Sequence, residues 1–250
     1  MAKLINKIAI VTGASSGIGK AGAILLAKEG ADILITYNTN EEGAIDAKKK
    51  INDLGRRCEI LKIDFNDIKN IRSIIDKTME KYGAIDILIN NAGISYFKDF
   101  FEDTLEDFDY LLNVNLKSIF VLSKFAAKEM IKRGGGYIVN ITSISGISVN
   151  EPDLISYCTS KAAANMLTKG MAKDLAKYNI RVNAILPGPV IVPRAYQISG
   201  AEKINSMIER TPMKRVGQPE EIGKMIVFLS TDDSSFMTGS LVVMDGGMTL

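Results

Sequence analysis

Short apolar runs alternate with helical patterns along the whole sequence. Residues 7–11 form an apolar run that ends in glycine, which is typical of a buried strand, and residues 17–29 then show helical spacing up to Gly30. The same alternation predicts further strands over residues 32–37, 59–63, 85–89, 137–141, 181–185 and 241–244. It predicts further helices over residues 41–54, 67–81, 105–133 and 157–177, the third of which is interrupted near residues 113–115.

Strands that are separated by helices form right-handed βαβ units, and therefore a parallel sheet with both faces covered. No linker, composition shift or internal repeat divides the 250 residues. The sequence therefore predicts an α/β fold: a single doubly wound Rossmann domain over residues 1–250, with about seven parallel strands flanked by helices. Ligands bind outside the carboxyl ends of such strands, so we expect function in the segments that follow them: residues 13–19, 64–65, 90–93, 142–145 and 187–190.

The composition excludes several classes of site. The sequence has no histidine, which rules out Ser–His catalysis and most transition-metal sites. Its two cysteines, Cys58 and Cys158, form neither a disulfide framework nor a zinc site, so we expect no metal. The first residues contain neither a signal peptide nor a membrane span, and the expectation is a soluble cytoplasmic protein without a membrane partner.

The charge distribution gives no sign of a nucleic-acid partner. The net charge is only +2, and the compact basic run at residues 48–50 follows Glu41, Glu42 and Asp46. A solvated helix face explains this run better than a nucleic-acid surface does.

A glycine-rich segment, TGASSGIG, connects the first predicted strand to the first predicted helix at residues 12–19. Gly13 permits a tight turn, Gly17 lets the backbone approach a phosphate, and Gly19 lets the helix pack closely on the strand. The free N–H groups and the positive dipole end of the helix then suit a pyrophosphate. Glycines alone also fit a purely structural turn, but the order of strand, turn and helix favours a dinucleotide site.

The end of the second strand bears on which dinucleotide is bound. An acidic residue there would accept hydrogen bonds from the adenosine ribose and repel a 2′-phosphate, but no carboxylate occurs before Glu41. Asn38 and Thr39 can donate hydrogen bonds to a 2′-phosphate. No arginine occurs nearby, and Ser16 stands where a basic residue would help. The sequence favours NADP and leaves NAD open.

The segment ISYCTSK places Tyr157 and Lys161 four residues apart, on one face of a predicted helix. A free tyrosine has a pKa of about 10 and is a poor base near neutrality. A nearby ammonium or a positively charged nicotinamide ring favours the phenolate, which moves the phenol towards useful acid–base chemistry. Taken alone, such a pair is usually part of an ordinary helical surface.

Several motifs together resemble the short-chain dehydrogenase/reductase family over essentially the whole chain. They are TGxxxGIG at residues 12–19, NNAG at 90–93, the second Asn of NVNL at 115, a Ser followed by YxxxK, PGPV at 187–190 and MDGG at 244–247. The resemblance implies hydride transfer between a nicotinamide dinucleotide and a secondary alcohol or carbonyl. It also implies a catalytic tetrad of Asn115, Ser143, Tyr157 and Lys161.

The resemblance assigns a role to each member of the tetrad. Tyr157 exchanges the proton of the substrate oxygen, Ser143 stabilises that oxygen, Lys161 also holds the nicotinamide ribose, and Asn115 anchors a water that links Lys161 to solvent. Ser143 fits the family pattern because Gly146 follows it by three residues. The interval from Ser143 to Tyr157 is one residue longer than in many members, so Ser145 stays open as the alternative.

The resemblance also implies which residues contact the cofactor and the substrate. The cofactor contacts are Gly13, Ser15, Ser16, Gly17, Ile18, Gly19, Asn38, Asp64, Phe65, Asn91, Ala92, Gly93, Tyr157, Lys161, Pro187, Gly188 and Val190. The substrate contacts are Ser95, Ser143 and Tyr157, with Tyr96 as a further candidate. A substrate lid is expected near residues 191–211, with candidate contacts at Pro193, Arg194, Tyr196, Gln197 and Met207.

The pattern resembles 3-oxoacyl-acyl-carrier-protein reductases and glucose 1-dehydrogenases about equally, and the former is our preferred interpretation. A non-catalytic dinucleotide sensor or scaffold is the alternative of another class, which a complete tetrad disfavours. Arg133 is a candidate contact for an acidic carrier protein, although helix-end charge complementarity explains it better. Members of the family are commonly tetramers, so we expect a homotetramer, with residues 236–250 as one possible interface.

Overall fold

The computed structural model describes residues 2–149, 151–191, 202 and 204–250. In this part of the chain seven strands form one sheet, in which every neighbouring pair is parallel. The strands are β1 (Ile8–Val11), β2 (Asp32–Tyr37), β3 (Cys58–Lys62), β4 (Ile87–Asn90), β5 (Gly136–Ile141), β6 (Ile180–Pro187) and β7 (Leu241–Met244). Their order in the sheet is β3-β2-β1-β4-β5-β6-β7.

Helices cover both faces of this sheet. They are α1 (Gly17–Lys28), α2 (Glu41–Asp53), α3 (Arg72–Tyr82), α4 (Leu105–Leu112), α5 (Ser118–Lys132), α6 (Ile155–Leu175) and α7 (Pro219–Leu229). Residues 204–210 are also helical. The predicted α/β fold, a doubly wound Rossmann sheet of about seven parallel strands, is confirmed. The predicted element ends differ from the observed ones by one to three residues in most cases.

Most strand positions are apolar because each side of the sheet packs against helices. Ala9 and Val11 of β1 point to one core, which they share with buried side chains of α1, α2 and α7. Ile10 between them points to the other core, which is closed by α3, α5 and α6. The strand order reverses between β1 and β4, so the crevice for a ligand opens there, next to residues 13–19 and 90–93.

The sequence analysis missed α7, although its start carries clear signals. Pro219 occupies the first turn, and Gln218 and Glu221 form a reciprocal capping box. The helix packs tightly on α1, because Gly22 lies against Ile226 and Gly223 lies against Leu25. A Cβ atom on either glycine would lie 2.7 Å from its partner side chain.

The predicted interruption of the long helix is confirmed. Between α4 and α5 the backbone forms a π turn over Asn113–Lys117, and Asn115 at its centre is fully buried. Such local widening of a helix changes the direction of the side chains it carries, and it occurs often at functional sites.

Two further expectations concern the surface. Residues 48–50 lie on α2, and the ammonium groups have carboxylate neighbours at Glu59, Asp53 and Asp46 respectively. Within the residues that the structure describes, no helix combines the length and the apolar character that crossing a membrane requires.

Candidate functional site

A cavity of about 840 Å³ opens at the carboxyl ends of β1, β2, β3 and β4. Its size lies in the range of small-molecule and cofactor sites. Eleven of the predicted cofactor contacts line it. Ten of them are Gly13, Ser15, Ser16, Gly17, Ile18, Asn38, Asp64, Phe65, Asn91 and Ala92. Gly93 also lines it, at the end that approaches the tetrad.

The glycine turn has the backbone that the sequence analysis expected. Gly13 and Gly17 have φ angles of 63° and 55°, in the left-handed region that favours glycine. Gly19 does not line the cavity; it lies behind the turn, where a Cβ atom would be 2.6 Å from the carbonyl oxygen of Gly13. The first N–H groups of α1 have no helical partner and face the turn, as a pyrophosphate requires.

The NNAG segment holds the glycine turn in place. The Asn91 side chain donates hydrogen bonds to the carbonyl oxygens of Thr12 (2.8 Å) and Gly13 (3.0 Å). The Thr12 hydroxyl in turn accepts from the backbone N–H groups of Asn91 and Ala92, at 2.9 Å each. The Asn91 amide therefore supports the turn from behind, and β1 and β4 are joined at the point where the cavity begins.

The end of the cavity that lies away from Gly93 and the tetrad is formed by the residues after β2 and β3. Thr39 and Asn40 line it beside Asn38, and Tyr37 donates a hydrogen bond to the Glu41 carboxylate at 2.8 Å. Among the described lining residues there is no lysine or arginine, and Asp64 supplies the acidic group. The donors, the apolar walls and the glycine turn together fit an adenine dinucleotide.

Asn115 joins the π turn to the segment that follows β4. Its side-chain oxygen accepts from the backbone N–H of Ile94 at 2.9 Å, and its amide nitrogen donates to the Ile94 carbonyl at 2.9 Å. The same nitrogen donates to the Ser160 hydroxyl at 3.1 Å. The Asn115 amide is thus satisfied within the protein, and it fixes Ile94 against α6.

Lys161 is the most unusual charged group in the site. Its side chain is 4% exposed, and its ammonium group donates a hydrogen bond to the carbonyl oxygen of Ile141 at 3.2 Å, where β5 ends. Burial lowers its pKa to about 8, because a charge in the interior loses its hydration. A Cβ atom at Gly93 would lie 3.4 Å from the ammonium nitrogen and 3.3 Å from the Asn115 side-chain oxygen.

The structure brings Tyr157 next to Ser143 and Lys161. The Lys161 ammonium lies 5.7 Å from the centre of the Tyr157 ring. Burial raises the pKa of the Tyr157 phenol, and its hydrogen bond with Ser143 only partly offsets this. Loss of hydration thus favours the protonated phenol in the protein alone, and the shift towards the phenolate by Lys161 and a nicotinamide ring stays a prediction.

The turn after β5 explains why Ser143, rather than Ser145, meets Tyr157. Ser143 is 8% exposed and begins a short 3₁₀ turn, Ile144–Gly146, where its hydroxyl accepts from the Ser145 backbone N–H at 3.0 Å. Gly146 rests on α6, because a Cβ atom there would be 2.8 Å from the carbonyl oxygen of Lys161. The alternative of Ser145 is thus not supported by a contact with the phenol.

Other predicted contacts lie around this centre. Pro187 ends β6, Gly188 packs against Asp245, and Val190 forms a parallel bridge with Gly217. None of the three lines the large cavity. Ser95 is exposed, whereas the Tyr96 hydroxyl is directed to Asp103. Of the lid candidates, Pro193, Arg194, Tyr196 and Gln197 lie outside the described residues, and Met207 lies in the helical residues 204–210.

Several residues that line the cavity were not predicted from the sequence: Tyr37, Asn40, Ile63, Ile94, Tyr110 and Val114. The first three lie at or just after the end of a predicted strand, so the rule that ligands bind there could have found them. Tyr110 and Val114 lie on α4 and in the π turn, where helical patterns gave no such signal.

Arg133 follows α5 at the amino ends of the strands. Its guanidinium approaches the buried Asp86 carboxylate there, at 3.4 Å. The tetrad lies at the opposite, carboxyl ends of the strands. A contact of Arg133 with an acidic carrier protein stays a prediction.

Comparisons with known proteins agree with this geometry. A family model described as enoyl-(acyl carrier protein) reductase matches residues 13–249. The 3-oxoacyl-[acyl-carrier-protein] reductase FabG of Thermotoga maritima is 37% identical over 248 residues, covering 99% of this chain and 100% of that protein.

Two solved structures superpose over nearly the whole chain. A short-chain type dehydrogenase/reductase from Mycobacterium marinum has a TM-score of 0.93 at 34% identity, covering 99% of this chain and 97% of that chain. A 7α-hydroxysteroid dehydrogenase complexed with NADH and 7-oxo glycochenodeoxycholic acid has a TM-score of 0.93 at 36% identity. The match covers 98% of this chain and 95% of that chain. The chain therefore belongs to the short-chain dehydrogenase/reductase family and is an oxidoreductase that acts on CH–OH groups with a nicotinamide dinucleotide.

Proposed function

We propose that this protein interconverts a secondary alcohol or sugar hydroxyl and a carbonyl, with Tyr157 as the acid and base. The observation that carries the proposal is the convergence of Ser143, Tyr157, Lys161 and Asn115 at one end of the cavity. A dinucleotide sensor or scaffold has no use for a phenol, a hydroxyl and a buried ammonium at that place. This arrangement is the main support for catalysis over mere binding.

Ser143 and Tyr157 have separate roles at the substrate oxygen. The dinucleotide, when bound, supplies or accepts the hydride and brings a positive ring in its oxidised form. Ser143 donates a hydrogen bond that stabilises charge on the substrate oxygen. Tyr157 gives its phenolic proton to that oxygen in reduction and takes it back in oxidation. Because the pKa of the phenol is raised in the protein without cofactor, Tyr157 is protonated there and can donate its proton to the substrate oxygen.

Lys161 connects this step to solvent. Its lowered pKa of about 8 means that the ammonium releases a proton more readily than an exposed lysine does, so it can replenish Tyr157. We assign to Asn115 the water that links Lys161 to solvent. Because the Asn115 side-chain amide is occupied by Ile94 and Ser160, that water would be held by its backbone carbonyl.

The preferred substrate is a 3-oxoacyl thioester on an acyl carrier protein, which the named activity of the Thermotoga maritima relative supports. An aldose oxidised at its anomeric hydroxyl is the alternative. In either case residues 1–250 act as one domain, and most of the substrate lid expected near residues 191–211 lies outside the described residues. Ser95 joins Ser143 and Tyr157 in the substrate pocket; its exposure beside the cavity lining is consistent with this.

The cofactor of the proposal is NADP, with NAD also accepted. Asn38 and Thr39 at the distal end of the cavity can donate hydrogen bonds to a 2′-phosphate. Phosphate recognition usually draws on arginine or lysine, and neither occurs among the described lining residues. We therefore expect the preference for NADP over NAD to be small.

The proposed assembly is a homotetramer in the cytoplasm. Phe236 and Leu250 near the carboxyl terminus are fully exposed, as an apolar contact between copies requires. Cys58 and Cys158 are free thiols, which is the usual state in a reducing compartment.

The first test changes only the phenol. Tyr157→Phe is expected to lower kcat by about 10²–10⁴-fold, which is the usual contribution of a positioned acid, while dinucleotide binding persists. Turnover is measured on acetoacetyl thioesters and on aldoses, and binding by calorimetry. Tyr178→Phe, at an exposed position beyond α6, is the matched control. Full activity in Tyr157→Phe would overturn the mechanism, and turnover only of aldoses would favour the alternative substrate.

A second test addresses the buried ammonium. The pKa of Lys161 falls from 10.5 in the unfolded chain to about 8 in the folded one. Between these two pH values the unfolded chain therefore has a proton on Lys161 that the folded chain has lost. This group therefore makes stability rise with pH across that window and destabilises the fold below it. Lys161→Met should abolish activity. It should also remove the rise of folding stability with pH and stabilise the protein at neutral pH by up to about 3 kcal/mol.

Urea unfolding on both sides of the window measures this effect, with Lys169→Met on the exposed side of α6 as the control. A Lys161→Met variant that is less stable than the wild type at neutral pH would contradict the account. It would show that the hydrogen bond to Ile141 outweighs the cost of burying the charge.

Cofactor preference gives a third test. The wild type should use both dinucleotides, with the higher kcat/KM for NADP. Asn38→Arg should raise the NADP-to-NAD ratio of kcat/KM by at least about tenfold, because a guanidinium pairs with the 2′-phosphate. Asn52→Arg, which adds the same charge on α2 away from the cavity, should leave the ratio unchanged. An equal effect of the two variants would contradict the assignment of Asn38 as a contact of the 2′-phosphate.

Sedimentation velocity tests the assembly. We expect a species of four chains that persists on dilution to assay concentrations. A stable and fully active monomer would refute the proposed tetramer without affecting the chemistry assigned to Tyr157.

A further inference from the structure

The helix that carries Tyr157 has no cap of its own. Leu154 occupies the N-cap position of α6, no side chain of that residue accepts a hydrogen bond, and the first turn contains no acidic residue. Helix starts are normally stabilised by a polar side chain or a negative charge, because their first N–H groups are unpaired. Tyr157 lies in this uncapped first turn, so the position of its ring depends on what else holds the turn.

A carboxylate from outside the helix binds a side chain of this first turn. The Ser156 hydroxyl, next to Tyr157 and only 5% exposed, donates a hydrogen bond to one carboxylate oxygen of Asp103. The other oxygen of Asp103 accepts from the Tyr96 hydroxyl at 3.2 Å. Burial and the charge of Asp103 raise the pKa of Tyr96, so this hydroxyl keeps its proton and stays a donor. Asp103 is therefore oriented from two sides.

The chain between Ile94 and Asp103 connects two members of the tetrad. At one end the backbone of Ile94 is fixed by both polar atoms of the Asn115 side chain. In the middle the Lys98 backbone N–H donates to the Asp153 carbonyl at 2.8 Å, just before α6. At the other end Asp103 holds Ser156. This segment thus spans from the π turn to the first turn of α6.

We infer that Asp103 is a positioning residue for Tyr157, which it holds in place through its hydrogen bond with Ser156 in the first turn of α6. The inference rests on the proposed function of Tyr157 but adds a residue that the family motifs do not contain. It follows from three facts: α6 lacks its own cap, Ser156 is buried, and the Asp103 carboxylate accepts one hydrogen bond from Ser156 and one from Tyr96.

The neighbouring carboxylate offers a matched control. Glu102 carries the same charge one residue earlier in the same turn and is exposed. Removing Glu102 changes the charge of the segment without touching Ser156. A purely electrostatic effect on the site would appear in both variants, whereas a positioning effect is confined to Asp103.

The experiment compares Asp103→Ala, Ser156→Ala, their double variant and Glu102→Ala. Hydrogen exchange is followed in the peptide covering residues 154–161, where the Cys158 N–H bonds to the Leu154 carbonyl. Turnover uses NADPH with an acetoacetyl thioester, or glucose with NADP if the thioester is inert. We expect faster exchange and a kcat about tenfold lower in both single variants, with dinucleotide Kd unchanged. The double variant should be no worse than Asp103→Ala.

Glu102→Ala should match the wild type in exchange and in kcat. Unchanged exchange in Asp103→Ala, additive losses in the double variant, or equal losses in Glu102→Ala would each overturn the inference. A wild type that turns over neither substrate would instead count against the proposed function. In that case hydrogen exchange alone decides whether Asp103 holds the first turn of α6 in place.

Discussion

The Lys161 ammonium group lies in the protein interior, and its hydrogen bond to the Ile141 carbonyl joins α6 to the end of β5. A buried charge is costly unless it is hydrogen-bonded, so the residues around it are tightly constrained. Gly93 leaves room for the ammonium, and Gly146 lets the turn after β5 rest on the backbone of Lys161. A Cβ atom at Gly146 would lie 2.8 Å from the backbone of Lys161 and would force the turn and α6 apart, whereas one at Gly93 would only touch the ammonium, at 3.4 Å.

The arrangement of the sheet makes this geometry possible. Parallel strands β1, β4 and β5 end at the same edge, so the glycine turn, the NNAG segment and Ser143 meet beside α6 without any long loop. Burial shifts both Tyr157 and Lys161 towards their uncharged forms, since it raises the pKa of the phenol and lowers that of the ammonium. A positive nicotinamide ring would be the charge that shifts Tyr157 towards the phenolate, which ties its acid–base state to the redox state of the cofactor.

The fold and most of the site could be predicted from the sequence, because strand–helix alternation and glycine turns are local patterns. What could not be predicted depends on tertiary packing. The pKa of Tyr157 is set by burial, which residue spacing does not reveal. The ion pair of Arg133 with Asp86 joins residues that are 47 positions apart, which the sequence pattern does not reveal. The bond between Asp103 and Ser156 joins residues that are 53 positions apart, and no motif marks either of them.

The central claim is that Tyr157 is the acid and base and that its phenol responds to the cofactor. The most direct measurement is the ultraviolet titration of this phenol, taken as the wild-type spectrum minus that of Tyr157→Phe, with and without bound oxidised dinucleotide. The account predicts phenolate formation at a lower pH in the complex than in the free protein. A phenol that titrates at the same pH in both states would contradict it.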